Sequence, residues 1–182
     1  MGGGAAVKPE DQRVILDLVA YPGSAPRGTP EEVLRHFGAD DGRALGLELL
    51  RGAVAERDGD QVEKALSVAD RFGLSPACLE PLITLCSADW HHAHEGVVSA
   101  LGTLRSPAAV PALQYLADWV PDYLDYDDSR AMGVKAVWAL RRTPGPEAEE
   151  ALRGLLASGS DVVREAAAKG LRSRGVSESE GT

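Results

Sequence analysis

Two stretches in the second half of the chain, SALGTLRSPAAVPALQYLA (residues 99–117) and WALRRTPGPEAEEALRGLLA (residues 138–157), align in one frame. The Ala-Leu pair that ends at Leu101 matches the pair that ends at Leu140, and a further leucine follows each of them at the same spacing. A third, partial copy, VVREAAAKGL (residues 162–171), continues the pattern at a shorter offset than that between the first two copies. The second half of the chain is therefore predicted to consist of structural repeats.

Each repeat is predicted to form two helices. A period of roughly 30 residues with two helices per unit is typical of a helical solenoid, because one helix pair cannot bury its own apolar face and stacks on the next pair. No segment shows the sustained apolar–polar alternation with β-branched residues that a strand requires. Helix start and stop signals recur along the whole chain, and they predict an all-α protein of about ten helices.

The second helix of the last repeat carries the pattern V-R-x-A-A-x-x-x-L from Val163 to Leu171, which resembles the short HEAT-like repeats of bacteria. The resemblance implies an α-solenoid of stacked antiparallel helix pairs and covers residues 89–174. Residues 9–88 match only as helical hairpins of suitable length and are assigned to the N-terminal half of the solenoid. Residues 1–8 and 175–182 are predicted to be disordered.

Composition and charge narrow the classes of partner. The chain has a formal net charge of -9 and a pI of about 4.9. Such a charge repels phosphate backbones and anionic lipid, so nucleic acid and membranes are not expected as partners and a basic protein is. Cys78 and Cys86 stand eight residues apart on helical sequence, about 12 Å, which is too far for a disulfide. With no secretory leader at the start, these features predict a cytoplasmic protein.

The resemblance implies that the second helices of the repeats, at residues 90–104, 128–142 and 161–172, line a concave surface. In that alignment Trp138 matches Ser99 and Lys169, which are surface residue types. Two interpretations of Trp138 remain open. It is either an exposed binding residue beside Arg142, or a core residue that closes the seam between two repeats.

Three of the four histidines lie between Asp89 and Glu95. If this stretch is helical, His91, His94 and Glu95 lie on one helix face, where they could hold a divalent metal such as zinc with Asp127 or Asp128 as a further ligand. The alternatives are hydrogen-bonded histidines at a helix start, which we favour, or contacts to a partner protein together with Trp90. We therefore expect no metal and no cofactor.

An insertion with five aspartates and three aromatic residues lengthens the first repeat at residues 118–128. Acidic side chains between aromatic rings suit a Lys/Arg-rich surface, through ion pairs and cation–π contacts from Tyr123, Tyr126, Asp127 and Asp128. The alternative is a long turn that Tyr123, Leu124 and Tyr126 pin to the body. In either case Asp127 or Asp128 is expected to cap the next helix.

The second half is similar to small bacterial HEAT-like proteins, some of which resemble immunity proteins of polymorphic toxin systems. The resemblance implies a non-catalytic module with an acidic, aromatic-containing concave surface that binds a basic partner protein. The alternative is an enzyme or ligand binder that uses His91, His94 and Glu95, like the HEAT-like alkyl-purine DNA glycosylases or bilin lyases. The partner's identity and the oligomeric state stay open.

Overall fold

The computed structural model describes residues 9–19 and 25–179, and every regular element within these ranges is a helix. Ten α-helices and four short 3-10 helices occur there, which confirms the prediction of an all-α protein of about ten helices. The chain divides into two compact units, residues 1–93 and residues 94–182. The predicted disordered segment at residues 1–8 lies outside the described residues.

Within its described residues, 9–19 and 25–93, the first unit contains five α-helices. They are α1 (Pro9–Asp17), α2 (Pro30–Phe37), α3 (Gly42–Glu56), α4 (Gly59–Phe72) and α5 (Leu79–Leu85), and a 3-10 turn at Pro76–Cys78 precedes α5. Thr29 and Glu32 form a reciprocal capping box at the start of α2, and Asp41 and Asp58 cap α3 and α4. These side chains satisfy amide groups that have no partner inside the helix, and they fix the helix starts.

The second unit contains α6 (His94–Leu104), α7 (Val110–Asp118), α8 (Ala131–Arg142), α9 (Pro146–Gly154) and α10 (Asp161–Ser179). Two predicted starts are wrong: α6 begins at His94 and not at residue 90, and α8 begins at Ala131 and not at residue 128. α10 continues to Ser179, so residues 175–179 of the predicted disordered tail are helical, and residues 180–182 lie outside the described part of the chain.

Helix α8 packs against α6, α7, α9 and α10. Its backbone lies very close to α7, because a Cβ atom added to Gly133 would stand 2.6 Å from the carbonyl oxygen of Ala117. On the side of α6, a Cβ atom added to Gly102 would stand 3.1 Å from the Cβ of Ala139. Glycine and alanine at these contacts allow the helix axes to approach closely.

Hydrogen bonds also fix the position of α8 relative to α6 and α10. Lys135 donates a 2.8 Å hydrogen bond to Glu95 between α8 and α6, and Arg141 Nη1 donates one of 2.8 Å to Ser173 Oγ of α10. The guanidinium group of Arg174 donates to the carbonyl oxygens of Leu140, Arg141, Thr143 and Gly145. Arg174 therefore satisfies the carbonyl groups at the C-terminal end of α8, where a positive charge also interacts favourably with the helix dipole.

Apolar side chains from all five helices of the second unit fill its interior. Leu101 and Leu140, the matched leucines of the repeat, are both fully buried, and so are Leu113 and Leu152, which follow them at the same spacing. The repeat frame therefore identifies core positions correctly. In the first unit, Cys78 and Cys86 are buried free thiols, as the sequence predicts.

Replacing Leu140 by alanine is expected to lower the free energy of unfolding by about 2–5 kcal/mol, because a fully buried side chain leaves a cavity that the tightly packed α8 cannot close. Urea denaturation measures the change. Leu156→Ala is the matched control, since the Leu156 side chain is 43% exposed and its removal is expected to cost much less. Equal losses in both variants would contradict the assignment of Leu140 to the core.

Candidate protein-binding surfaces

Trp138 lies on the surface of α8 with 47% of its area exposed, so it is not a core residue, and its role in binding stays a prediction. The guanidinium carbon of Arg141 stands 4.9 Å from the centre of the indole ring, within the range of a cation–π contact. From the sequence we predicted that Arg142 lies beside Trp138. Arg142 is exposed as well, but the residue that contacts the ring is Arg141, one position earlier.

Positive side chains surround Trp138. Lys135, Arg141 and Arg142 lie three residues before it, three after it and four after it, which are its neighbours on a helix surface. Lys135 is paired with Glu95, so these two side chains together add no net charge, and the positive charge beside Trp138 comes from Arg141 and Arg142. This surface is therefore cationic, in contrast to the acidic surface that the sequence led us to expect around Trp138.

The insertion between α7 and α8 is fixed at its C-terminal end by Asp127. Its carboxylate accepts hydrogen bonds from the amide groups of Ala131 at 2.8 Å and Ser129 at 3.1 Å, and from the hydroxyl of Ser129. These hydrogen bonds hold the pKa of Asp127 below its ordinary value. The bond from the Ser129 hydroxyl has the largest effect, and the bond from the Ala131 amide has the next largest. Asp127 therefore caps the first amide of α8 from four positions before Ala131, although the N-cap position itself is taken by Arg130, which makes no side-chain cap bond, and Asp128 is left exposed to solvent.

An aromatic cluster fixes the middle of the insertion. The Tyr123 hydroxyl and His94 Nδ1 are 2.9 Å apart, and their rings stack with centroids 5.8 Å apart. The Trp119 ring packs edge-on against His94 at 4.9 Å, and Tyr115 stacks on Trp119. Tyr123 thus pins the turn to the body as one interpretation predicted. His94 is fully buried and presents no surface to a partner.

Tyr126 does not pin the turn, because 80% of its area is exposed. The side chains of Asp122, Asp125 and Asp128 are exposed on the same short segment. We name residues 122–128 the acidic turn. It presents an aromatic ring between carboxylates on a backbone that Tyr123 and Asp127 hold in place.

His91 precedes α6, so the prediction that His91, His94 and Glu95 share one helix face is wrong. Its Nδ1 accepts a 3.1 Å hydrogen bond from the Ala93 amide, and its Nε2 lies 2.9 Å from the Leu85 carbonyl. The ring is therefore the neutral tautomer with the proton on Nε2, and burial lowers its pKa. Both ring nitrogens of His91 therefore form hydrogen bonds with backbone groups.

Within residues 9–19 and 25–179, no group of three His, Cys, Asp or Glu side chains is arranged to hold a metal ion.

Trp90 lines an open cleft of about 490 Å³ in the first unit. Its ring packs edge-on against His91, with centroids 5.2 Å apart. Most of the remaining wall comes from the end of α3 and the start of α4. It carries one arginine and four carboxylates: Arg57, Glu56, Asp58, Asp60 and Glu63. This acidic lining could not be predicted from the sequence, because it comes from the ends of two helices, and only Trp90 and His91 stand out in the sequence.

No activated nucleophile forms where Cys86 and His91 are close in sequence. Burial raises the pKa of the Cys86 thiol to about 12, so the sulfur stays protonated near neutral pH. Its proton is directed to the Leu82 carbonyl at 3.3 Å. Both nitrogens of His91 form hydrogen bonds with backbone groups, so its ring is not positioned to accept that proton.

Comparison of the chain with protein-family models, with curated proteins and with solved structures finds no match. Across the described part of the chain, no helix combines the length and the apolar character that a membrane crossing requires.

The buried neutral His91 predicts a specific pH dependence of stability. Its pKa in the folded state lies below the ordinary value of 6.5, so below that pH the unfolded chain takes up a proton that the folded protein excludes. Stability should be complete above about pH 6.5 and fall as the pH drops. His91→Gln removes the titrating group and should show a smaller loss between about pH 7.5 and about pH 5.5 in urea denaturation. The same pH dependence in both proteins would contradict this account.

Proposed function

We propose that this protein is a non-catalytic module that binds another protein, and that the acidic turn contacts a basic surface of that partner. The observation that carries the proposal is the exposure of Tyr126: 80% of its area faces solvent, and its sequence neighbours Asp125 and Asp128 are exposed with it. An aromatic ring between carboxylates combines apolar contact, cation–π attraction and ion pairing with Lys or Arg.

The rigidity of the turn supports the proposal. A loop that is ordered before binding loses less conformational entropy in the complex, so more of the interaction energy appears as affinity. The acidic turn is held by the Tyr123–His94 contact and by the Asp127 cap. Arg130 adds a 2.9 Å hydrogen bond to the Asp118 carbonyl, which links the two ends of the insertion.

We further propose that the second unit is built from HEAT-like repeats stacked as an α-solenoid. The contacts between its helices favour this, because they join residues at similar offsets along the chain. Glu95 bonds Lys135, and Asp118 bonds Ser158, each pair 40 residues apart. Arg141 bonds Ser173 after 32 residues, close to the offset between the second and third copies of the repeat. In such solenoids, stacked helix pairs create extended surfaces for partner proteins.

The net charge of -9 favours an immunity or inhibitor role, in which an acidic protein covers a basic toxin. Opposite charges of this kind accelerate association, and the rate then falls with increasing salt. In this proposal the protein acts in the cytoplasm, a reducing compartment that suits the free thiols of Cys78 and Cys86.

A second function, binding of a small cationic ligand, is favoured by the cleft of the first unit. There the Trp90 ring and the carboxylates of Glu56, Asp58, Asp60 and Glu63 line a volume of about 490 Å³. An aromatic wall beside carboxylates suits an ammonium or guanidinium group. The enzyme alternative based on His91, His94 and Glu95 loses its support, because each of these side chains has a partner within its own unit.

Affinity capture from the native lysate tests the proposal. A tagged wild-type protein is compared with the variant Asp125→Asn/Tyr126→Ala/Asp128→Asn, at low and at high salt. The control Glu147→Gln/Leu156→Ala/Glu150→Gln removes the same number of charges and one exposed apolar side chain from another part of the second unit. We expect the wild type and the control to capture a basic protein at low salt.

High salt should weaken this capture, because exposed charges separated by more than about 10 Å are screened at 0.1 M salt. The variant in the acidic turn should lose the captured protein at both salt concentrations. Equal capture by the wild type and the variant, or capture of acidic proteins alone, would show that the acidic turn is not the binding surface.

A further inference from the structure

A second exposed surface of the second unit has the opposite charge. We name Trp138, Arg141, Arg142, Lys169 and Arg172 the Trp138 face. The contacts between Arg141 and Ser173, and between Gly133 and Val163, show that α8 and α10 run parallel. This alignment brings Lys169 level with Trp138, and its side chain is exposed. Arg142 reaches towards α6, where its Nη2 atom would stand 3.1 Å from a Cβ added to Gly102.

Arg141 is the most constrained cation of this face. Its Nη1 donates to Ser173 Oγ at 2.8 Å, and its guanidinium group stands over the Trp138 ring. Its Nε is buried and has no hydrogen-bond partner among the described residues. Nε and Nη2 form the side-on edge of a guanidinium group, which matches the two oxygens of a carboxylate. A buried donor without a partner costs free energy, and an incoming acceptor would recover it.

The α6 side of the face offers few competing polar groups. The Ser99 hydroxyl donates to the Glu95 carbonyl at 2.9 Å, and the Thr103 hydroxyl donates to the Ser99 carbonyl at 3.0 Å. Lys135 is paired with Glu95. The groups that remain for a ligand are an exposed indole ring and the cations of Arg141, Arg142, Lys169 and Arg172, with one exposed carboxylate, Glu165, one turn before Lys169 on α10.

We propose that the Trp138 face docks a short acidic segment of a partner protein. An aspartate or glutamate carboxylate binds the side-on edge of Arg141 once that side chain rotates and exposes its Nε, and a neighbouring apolar side chain packs on the indole ring. Further carboxylates of the segment pair with Arg142 and Lys169. A buried aromatic anchor beside an arginine is typical of the residues that dominate protein interfaces.

Charge complementarity favours a short acidic segment over nucleic acid. A nucleic acid carries a negative charge at every phosphate and would extend from this face over the carboxylates of a chain with a net charge of -9. A short segment can lie on Arg141, Arg142 and the Trp138 ring without extending over the acidic parts of the chain. The Trp138 face and the acidic turn are different surfaces with different partner chemistry. Binding at one can therefore be tested independently of binding at the other.

Fluorescence anisotropy with a labelled peptide tests the proposal. The probe carries Asp and Glu on both sides of a Leu-Phe pair, and the comparison peptide has Lys at every acidic position. We expect the acidic peptide to bind the wild type and the lysine peptide to bind this face more weakly. Trp138→Ala and Arg141→Met should each weaken binding of the acidic peptide by roughly tenfold or more. Arg141→Lys keeps the charge and loses the side-on edge, so it should also weaken binding.

Arg153→Gln is the matched control, because it removes one exposed positive charge from α9 and should leave binding unchanged. Circular dichroism at increasing temperature shows whether each variant is folded. Asp125→Asn/Tyr126→Ala/Asp128→Asn should bind the acidic peptide at least as well as the wild type, which separates this proposal from the acidic turn.

Three outcomes would overturn the proposal. The first is binding of the lysine peptide as tight as that of the acidic peptide, or no binding of either. The second is unchanged binding in folded Trp138→Ala and Arg141→Met. The third is self-association in sedimentation equilibrium that both Trp138→Ala and Asp125→Asn/Asp128→Asn abolish, since the occupant of the face would then be the acidic turn of a second copy.

Discussion

The close approach of α8 to its neighbours is the constraint on which the second unit depends. Gly133 lies so near the Ala117 carbonyl that a methyl group has no room there, and Gly102 meets Ala139 on the other side. Side chains that would separate the helices are absent from these contacts, so α8 is fixed in position and in rotation about its axis. The same rotation that buries Leu140 exposes Trp138, two residues earlier on the helix. The packing of α8 therefore determines which of its residues a partner protein can reach.

The second unit separates its charges between two surfaces. Carboxylates gather on the acidic turn before α8, and cations gather along the exposed sides of α8 and α10. Each region also contains side chains of the opposite charge: Arg130 donates to the Asp118 carbonyl beside the acidic turn, Glu95 pairs with Lys135 beside Trp138, and Glu165 is exposed on α10. This arrangement leaves one exposed aromatic ring on each surface, Tyr126 among carboxylates and Trp138 among arginines.

Patterns with a period predicted the all-helical class and the core positions, and local hydrogen bonds explain why two helix starts were predicted wrongly. The repeat frame identified Leu101 and Leu140 as core residues, because burial follows the period of the helix. The starts of α6 and α8 were wrong, since side-chain bonds to the backbone at His91 and Asp127 compete with helix formation. The sequence identified Trp138 and Tyr126 but not their surroundings. That Arg141 contacts Trp138 depends on rotamers and on Ser173, which no pattern in the sequence encodes.

Site-specific photocrosslinking in the cells that produce the protein tests most directly the central claim that these surfaces bind another protein. The photoreactive residue p-benzoylphenylalanine is incorporated at position 126, at position 138 or, as a control, at position 156, where Leu156 is exposed outside both surfaces. The account predicts covalent adducts with another protein from positions 126 and 138 and none from position 156. The absence of adducts at both positions, or equal adducts at position 156, would contradict it.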